Sequence, residues 1–150
     1  FLENYKTAYA LERLDYLKEI FSDDALIIVG STVSKPQDLE GRIRLNEKDA
    51  KYNTYTKAEY MKNLERCFAR NEFINLRFTE NEIKQFKKDK EMYGIQIKQD
   101  YFSSTYGDTG YLFLGVDVEN PDQPVIHIRT WQPEKDKEGG VFGINDFTID

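Results

Sequence analysis

Apolar positions at the start of the chain recur every three or four residues: Leu2, Tyr5 and Tyr9, then Leu14, Leu17 and Phe21. This spacing predicts two helices with a change of direction near Arg13. A short apolar run over 26–29, closed by Gly30, reads as a buried strand entered through the acidic turn Ser22-Asp23-Asp24-Ala25. The pattern then dissolves over 31–55, where Pro36, Gly41 and many charges fall, and a small hairpin is expected around 42–45. A stretch of that length is either a lid or a solvated excursion. Thr56 and Glu59 have the spacing of a capping box, and Tyr60, Met61, Leu64, Cys67 and Phe68 make one apolar face behind it. After Asn71 the period falls to two. Strands are predicted over 73–86 and 92–106, as a long hairpin turning at Lys87-Lys88-Asp89-Lys90, and then over 110–119 and 125–132. The turns between these last strands are Tyr106-Gly107-Asp108-Thr109 and Asn120-Pro121-Asp122. Helices followed by a meander of long strands predict an α+β fold, one domain over 1–150, with an antiparallel sheet wrapped over the helices.

The composition narrows the function classes. Net charge is −6, which argues against a nucleic-acid partner, because phosphates call for clustered Lys and Arg. The lysines at the 87–90 turn are interrupted by Asp89 and read as protection of a hairpin edge. Cys67 is the single cysteine, so an internal disulfide and a thiolate zinc cluster are both excluded, and no metal or cofactor is expected. No apolar run reaches the ~20 residues needed to span a bilayer, so no membrane insertion by this segment is expected. The chain opens at Phe1 inside a helical pattern, and an upstream segment, tag or signal peptide, is expected to precede it. Aromatic residues reach 14%, with ten Tyr and ten Phe, an excess that suits pocket walls and interfaces as well as a core.

The order of elements, with the acidic turn ahead of the first strand, resembles the nuclear transport factor 2-like superfamily, which includes ketosteroid isomerases, polyketide cyclases and many binding domains without catalysis. The resemblance covers 4–30 and 56–132 and leaves 31–55 as an insertion. It implies a cone: helices packed into a curved, mainly antiparallel sheet with a site inside. More narrowly, RTWQP at 129–133, preceded by YLFL at 111–114, resembles an uncharacterised family of bacterial cell-envelope proteins. That likeness implies a periplasmic or envelope location and no particular activity. In the isomerases a helix tyrosine donates and a strand aspartate abstracts. Laid without gaps on this chain, the donor position holds Tyr5 and the base position holds Val29, which has no proton to exchange. The aspartate–arginine–aspartate relay of the superfamily's epoxide hydrolases is absent as well.

Two sets of residues follow as candidates. Strict alternation in 125–132 places Ile126, Ile128 and Thr130 on one side and His127, Arg129 and Trp131 on the other. With the apolar set turned toward the helices, Tyr5, Tyr9, Tyr101, Ile128, Thr130 and Gln132 would line a pocket for a small apolar or aromatic ligand. The opposite face would carry Tyr111, Phe113, His127, Arg129 and Trp131. Its aromatic and arginine content suits a homodimer interface, so Trp131→Ala and Phe113→Ala would weaken dimerisation. The expected function is a non-catalytic binding or assembly domain. The rival is an isomerase-, cyclase- or hydrolase-like enzyme using Tyr5 as donor and Asp117 as base, a role that requires Asp117 to project into the cone. Cys67 reads as core packing, and Asp23 with Asp24 as turn residues.

Overall fold

Why the first helix stops where it does is visible in its last turn. Helix α1 (Leu2–Ala10) ends with Glu12 at a φ of 55°, while Arg13 N–H donates to the Ala8 carbonyl at 2.7 Å and Glu12 N–H to that of Tyr9 at 3.2 Å. This pair of bonds is a Schellman closure with glutamate in the left-handed position usually held by glycine. The chain turns there and restarts as α2 (Leu14–Ile20). The computed structural model describes residues 1–30, 43–45, 52–71, 73–104, 106–133 and 140–149.

Strand β1 (Phe21–Gly30) follows α2 directly, then β2 (Ile43–Leu45), β3 (Tyr52–Tyr55) and α3 (Lys57–Arg70). Four long strands complete most of the chain: β4 (Ile74–Gln85), β5 (Met92–Ser103), β6 (Gly107–Asp117) and β7 (Val125–Gln132). A short 3-10 helix (Ile144–Asp146) and β8 (Phe147–Ile149) come last. The main sheet has six strands in the order β3-β1-β7-β6-β5-β4, with β1 and β7 parallel and all other neighbours antiparallel. The architecture is α+β, with the three helices packed on one face of a mixed, mostly antiparallel sheet.

Helix α3 starts where the sequence predicts. Glu59 N–H donates to Thr56 Oγ1 at 3.1 Å, and Thr56 N–H donates to Glu59 Oε1 at 2.9 Å, a complete capping box. Its buried residues Tyr60, Met61, Leu64 and Phe68 join Tyr5, Ala8 and Tyr9 of α1 in the core between helices and sheet. The acidic turn is not a helix-to-strand connection. Residues 22–25 bulge from within β1, between the pairs Phe21↔Ile126 and Leu26↔Ile128, and Asp23 accepts from Lys57 Nζ at 2.9 Å. Of the hairpin expected around 42–45, the described residues Ile43–Leu45 run antiparallel to β8, and the flanking residues lie outside the described ones. β3 pairs with β1, and residues 31–42 and 46–51, the rest of the expected insertion or lid, lie outside the described residues.

One irregularity fixes which residues face the helices. Gly115 pairs with Ile128 but Val116 pairs with Ile126, so His127 is an extra residue in β7. A bulge of this kind shifts alternation by one place. Before it, Ile126 lies on the helix side with Val116; after it, Arg129 and Trp131 lie on that side, paired with Leu114 and Leu112. Ile128 and Thr130 turn outward with Ile28 and Phe113.

The outward face is covered by the chain itself. Phe113 is 2% exposed, stacked on Phe147 with ring centroids 5.4 Å apart, and Phe142 packs beside Phe147 at 5.9 Å. Two glutamines on the sheet fasten this layer: Gln96 Nε2 donates to the Phe142 carbonyl at 2.9 Å, and Phe142 N–H donates to Gln132 Oε1 at 2.7 Å. Gly94 leaves the room required, because a Cβ there would lie 2.4 Å from Ile144 and 2.8 Å from the Phe113 ring.

Candidate functional site

On the helix side of the sheet, α1, α3 and strands β4, β5 and β7 surround a cavity of about 150 Å³. It is lined by Tyr9, Tyr60, Leu64, Cys67, Phe68, Leu76, Gln99, Tyr101 and Arg129. Cys67 and Tyr101 are partly exposed and mark its open side. Each polar group is delivered by periodicity. Tyr5 and Tyr9 lie one helical turn apart on the buried face of α1, Tyr60 opens the buried face of α3, and Gln99 and Tyr101 share the inward parity of Ile97 on β5.

The hydroxyls form a chain. Tyr5 OH donates to Tyr9 OH at 3.3 Å, and the hydroxyls of Tyr9 and Tyr60 are hydrogen-bonded to each other. At the open side Tyr101 OH lies 3.3 Å from Cys67 Sγ, which also accepts from Asn71 Nδ2 at 3.5 Å. Burial pushes the phenol pKa of Tyr9 and Tyr60 well up, and burial followed by the Cys67 contact does the same for Tyr101. These tyrosines are therefore neutral donors. The sign of the linkage follows: the folded state holds these protons more tightly than the unfolded chain. Their contribution is fully present below the ordinary tyrosine value of about 10 and is lost as pH rises beyond it. Urea midpoints taken between about pH 9 and about pH 11 will fall steadily, and a flat or rising midpoint over that window would contradict the buried-phenol assignment.

Arg129 dominates the electrostatics. It comes from the central strand β7, is 9% exposed, and holds its guanidinium 4.7 Å from the centroid of the Tyr60 ring. Its Nε is fully buried without a hydrogen-bond partner. No carboxylate among the described residues forms an ion pair with it. Burial works against the charge, while Tyr60, Tyr5 and Tyr9 favour it, and the balance keeps the group protonated. Gln99, two strands away on β5, lines the same cavity, is 5% exposed and makes no side-chain hydrogen bond with a described residue.

The structure brings Tyr9 and Tyr101 to this cavity, with Tyr5 in contact through Tyr9. The remaining expected pocket residues, Ile128, Thr130 and Gln132, are elsewhere: the bulge at His127 places them on the outward face, where Gln132 holds Phe142. Conversely, Arg129 and Trp131, expected on the outer face, lie on the helix side. Tyr111, Phe113 and His127 do face outward, with Phe113 covered by Phe147 and His127 Nε2 3.5 Å from Asp117 Oδ2. Asp117 pairs across the sheet with Met92 in the outward cluster, so the Tyr5–Asp117 acid–base pair is not assembled. Tyr60 and Gln99 join the cavity by the same periodicities that place Tyr9 and Tyr101, and Arg129 is the cavity residue that alternation misses. The signal for Arg129 was Gly115, the glycine opposite which the bulge begins.

A second cavity of about 170 Å³ lies on the outward face, lined by Glu82, Lys84, Gln96 and Asp146 among others. Its polar groups are already engaged: Lys84 with Glu82 at 3.2 Å, Gln96 with the Phe142 carbonyl, and Asp146 as acceptor from Gly143 N–H. The cone cavity is thus the stronger candidate. Among the described residues no three of His, Cys, Asp and Glu come together to hold a metal, and no helix is long and apolar enough to cross a membrane.

No family model matches the chain, and no curated protein matches it. Solved structures do. Bd1075 of Bdellovibrio bacteriovorus aligns with a TM-score of 0.64 at 12% identity, covering 91% of this chain and 39% of that one, so this chain spans well under half of its length. A scytalone dehydratase-like protein of Novosphingobium aromaticivorans aligns with a TM-score of 0.61 at 12% identity, over 87% of this chain and 77% of that one. A Streptomyces avermitilis protein of the NTF2-like family aligns with a TM-score of 0.59 at 9% identity, over 86% and 87%. At these identities the likeness is one of fold: the chain shares the α+β fold of these structures, an NTF2-like protein among them.

Proposed function

We propose that this chain is a small-molecule-binding domain whose ligand occupies the cavity between α1, α3 and the sheet. The observation that carries this reading is the Arg129 guanidinium, nine-tenths buried at the cavity wall without a carboxylate partner among the described residues, with the Gln99 amide and tyrosine hydroxyls lining the same space. Buried polar groups are normally paired within the protein, and those that are not point to an external partner. An apolar wall with a few convergent polar groups is the usual makeup of a ligand site.

Enzymes occur among structures of this fold, and catalysis is the second reading. Against it stands the inventory of proton acceptors: among the described residues no carboxylate or imidazole lines the cavity, and Tyr9 and Tyr60 are held neutral by burial. General base catalysis needs a group with a pKa near the working pH. The sequence-based homodimer through the outer face is not part of this proposal, because Phe113, one of its expected residues, packs under Phe147 of the same chain.

Native mass spectrometry of freshly purified protein tests the reading. The expected spectrum contains a discrete mass above that of the bare polypeptide, released on activation as one small molecule. A bare mass that persists after incubation with a metabolite extract would count against the site.

A further inference from the structure

Resting on the cavity reading above, we infer that the ligand is an anion, specifically a single-ring aromatic carboxylate that pairs with Arg129. The argument begins with the cost of the buried guanidinium. Removing a charge from water costs several kcal/mol even after relaxation, and a protein normally offsets this with a counter-charge. Arg129 has a cation–π contact with Tyr60 and neutral hydroxyls around it, that of Tyr5 as a hydrogen-bond partner. Neither neutralises it, and arginine does not shed its proton. The tyrosines are no substitute, since burial keeps them in the neutral form. The part of the guanidinium that borders the cavity is a donor edge of the kind that binds a carboxylate.

Size and wall chemistry narrow the class. About 150 Å³ is small for a drug-sized ligand, but an apolar cavity of about that volume holds one benzene ring. Leu64, Phe68 and Leu76 supply the apolar side, while Gln99 adds an amide elsewhere on the cavity wall. An aromatic ring against these side chains would leave its carboxylate to pair with Arg129.

The test is calorimetric titration of the unmodified protein with benzoate, benzamide and acetate. Benzamide keeps the ring and removes the charge; acetate keeps the charge and removes the ring. Benzoate should bind at least tenfold more tightly than either. In Arg129→Gln the benzoate-to-benzamide preference should collapse to within about twofold, reflecting loss of the charge-assisted pair. Equal binding of benzamide and benzoate overturns charge selection while leaving the cavity as a binding site. Acetate binding as tightly as benzoate overturns the aromatic assignment, and an Arg129→Gln protein that keeps the preference overturns the role of Arg129. Binding of none of the three overturns this inference, and the mass spectrum then decides separately whether the cavity holds a neutral ligand. The comparison of the three ligands on unmodified protein does not depend on any variant folding.

Discussion

Phe113→Ala will destabilise the protein by about 3–5 kcal/mol, in the range of phenylalanine truncations in packed cores, and will leave its association state unchanged. The ring is 2% exposed, stacked on Phe147 with an interplanar angle of 8°, and seated over the space left by Gly94. Truncation removes the buried area and leaves a void that Ile144 and Phe142, held by Gln96 and Gln132, are poorly placed to fill. Chemical denaturation reads the stability, and sedimentation velocity reads the association. Dissociation of a dimer with little loss of stability would show that the outer face meets a second copy rather than residues 140–149.

Arg129→Met will behave in the opposite sense: the unliganded protein will gain stability, by about 1–2 kcal/mol. Replacing buried charges with apolar groups of similar volume is neutral or stabilising by about 1–4 kcal/mol. The cation–π contact with Tyr60 offsets part of that gain. For a domain of this size the change corresponds to a rise of about 2–8 °C in Tm. Methionine fills the space of the arginine stem without a charge to solvate. A loss of more than about 2 kcal/mol would mean that the guanidinium is a structural group satisfied within the fold, as losing one member of a buried paired network costs about that much or more. Stability surrendered at a binding site is the expected signature of a group kept for its ligand.

Much of the fold was legible because local signals agreed with the tertiary outcome. The Thr56–Glu59 capping box, the apolar face of α3 and the strand over Val125–Gln132 all stand where the pattern puts them. The order of helices and long strands led to the superfamily's fold, which the structural neighbours share. The site was less legible, for one local reason. A single extra residue, His127, inverts the facing of the last half of β7, exchanging Arg129 and Trp131 for Ile128, Thr130 and Gln132. Alternation has no means of registering an insertion that depends on the neighbouring strand. Long-range pairings were equally hidden. β2 finds β8 across most of the chain, and β1 runs parallel to β7, neither of which leaves a mark in local periodicity. Phe113, expected at an interface, joins an intrachain layer with Phe142 and Phe147, a packing that its place in an alternating strand does not reveal.

The central claim is that Arg129 is held in the cone for an anionic ligand. Its most direct test is the side-chain Nε–H resonance of Arg129, assigned by its disappearance in Arg129→Lys and followed by NMR during titration with benzoate. A saturable shift of that resonance, reproduced by neither benzamide nor acetate, is the predicted result. A resonance that stays fixed while signals elsewhere in the protein respond to benzoate would contradict it.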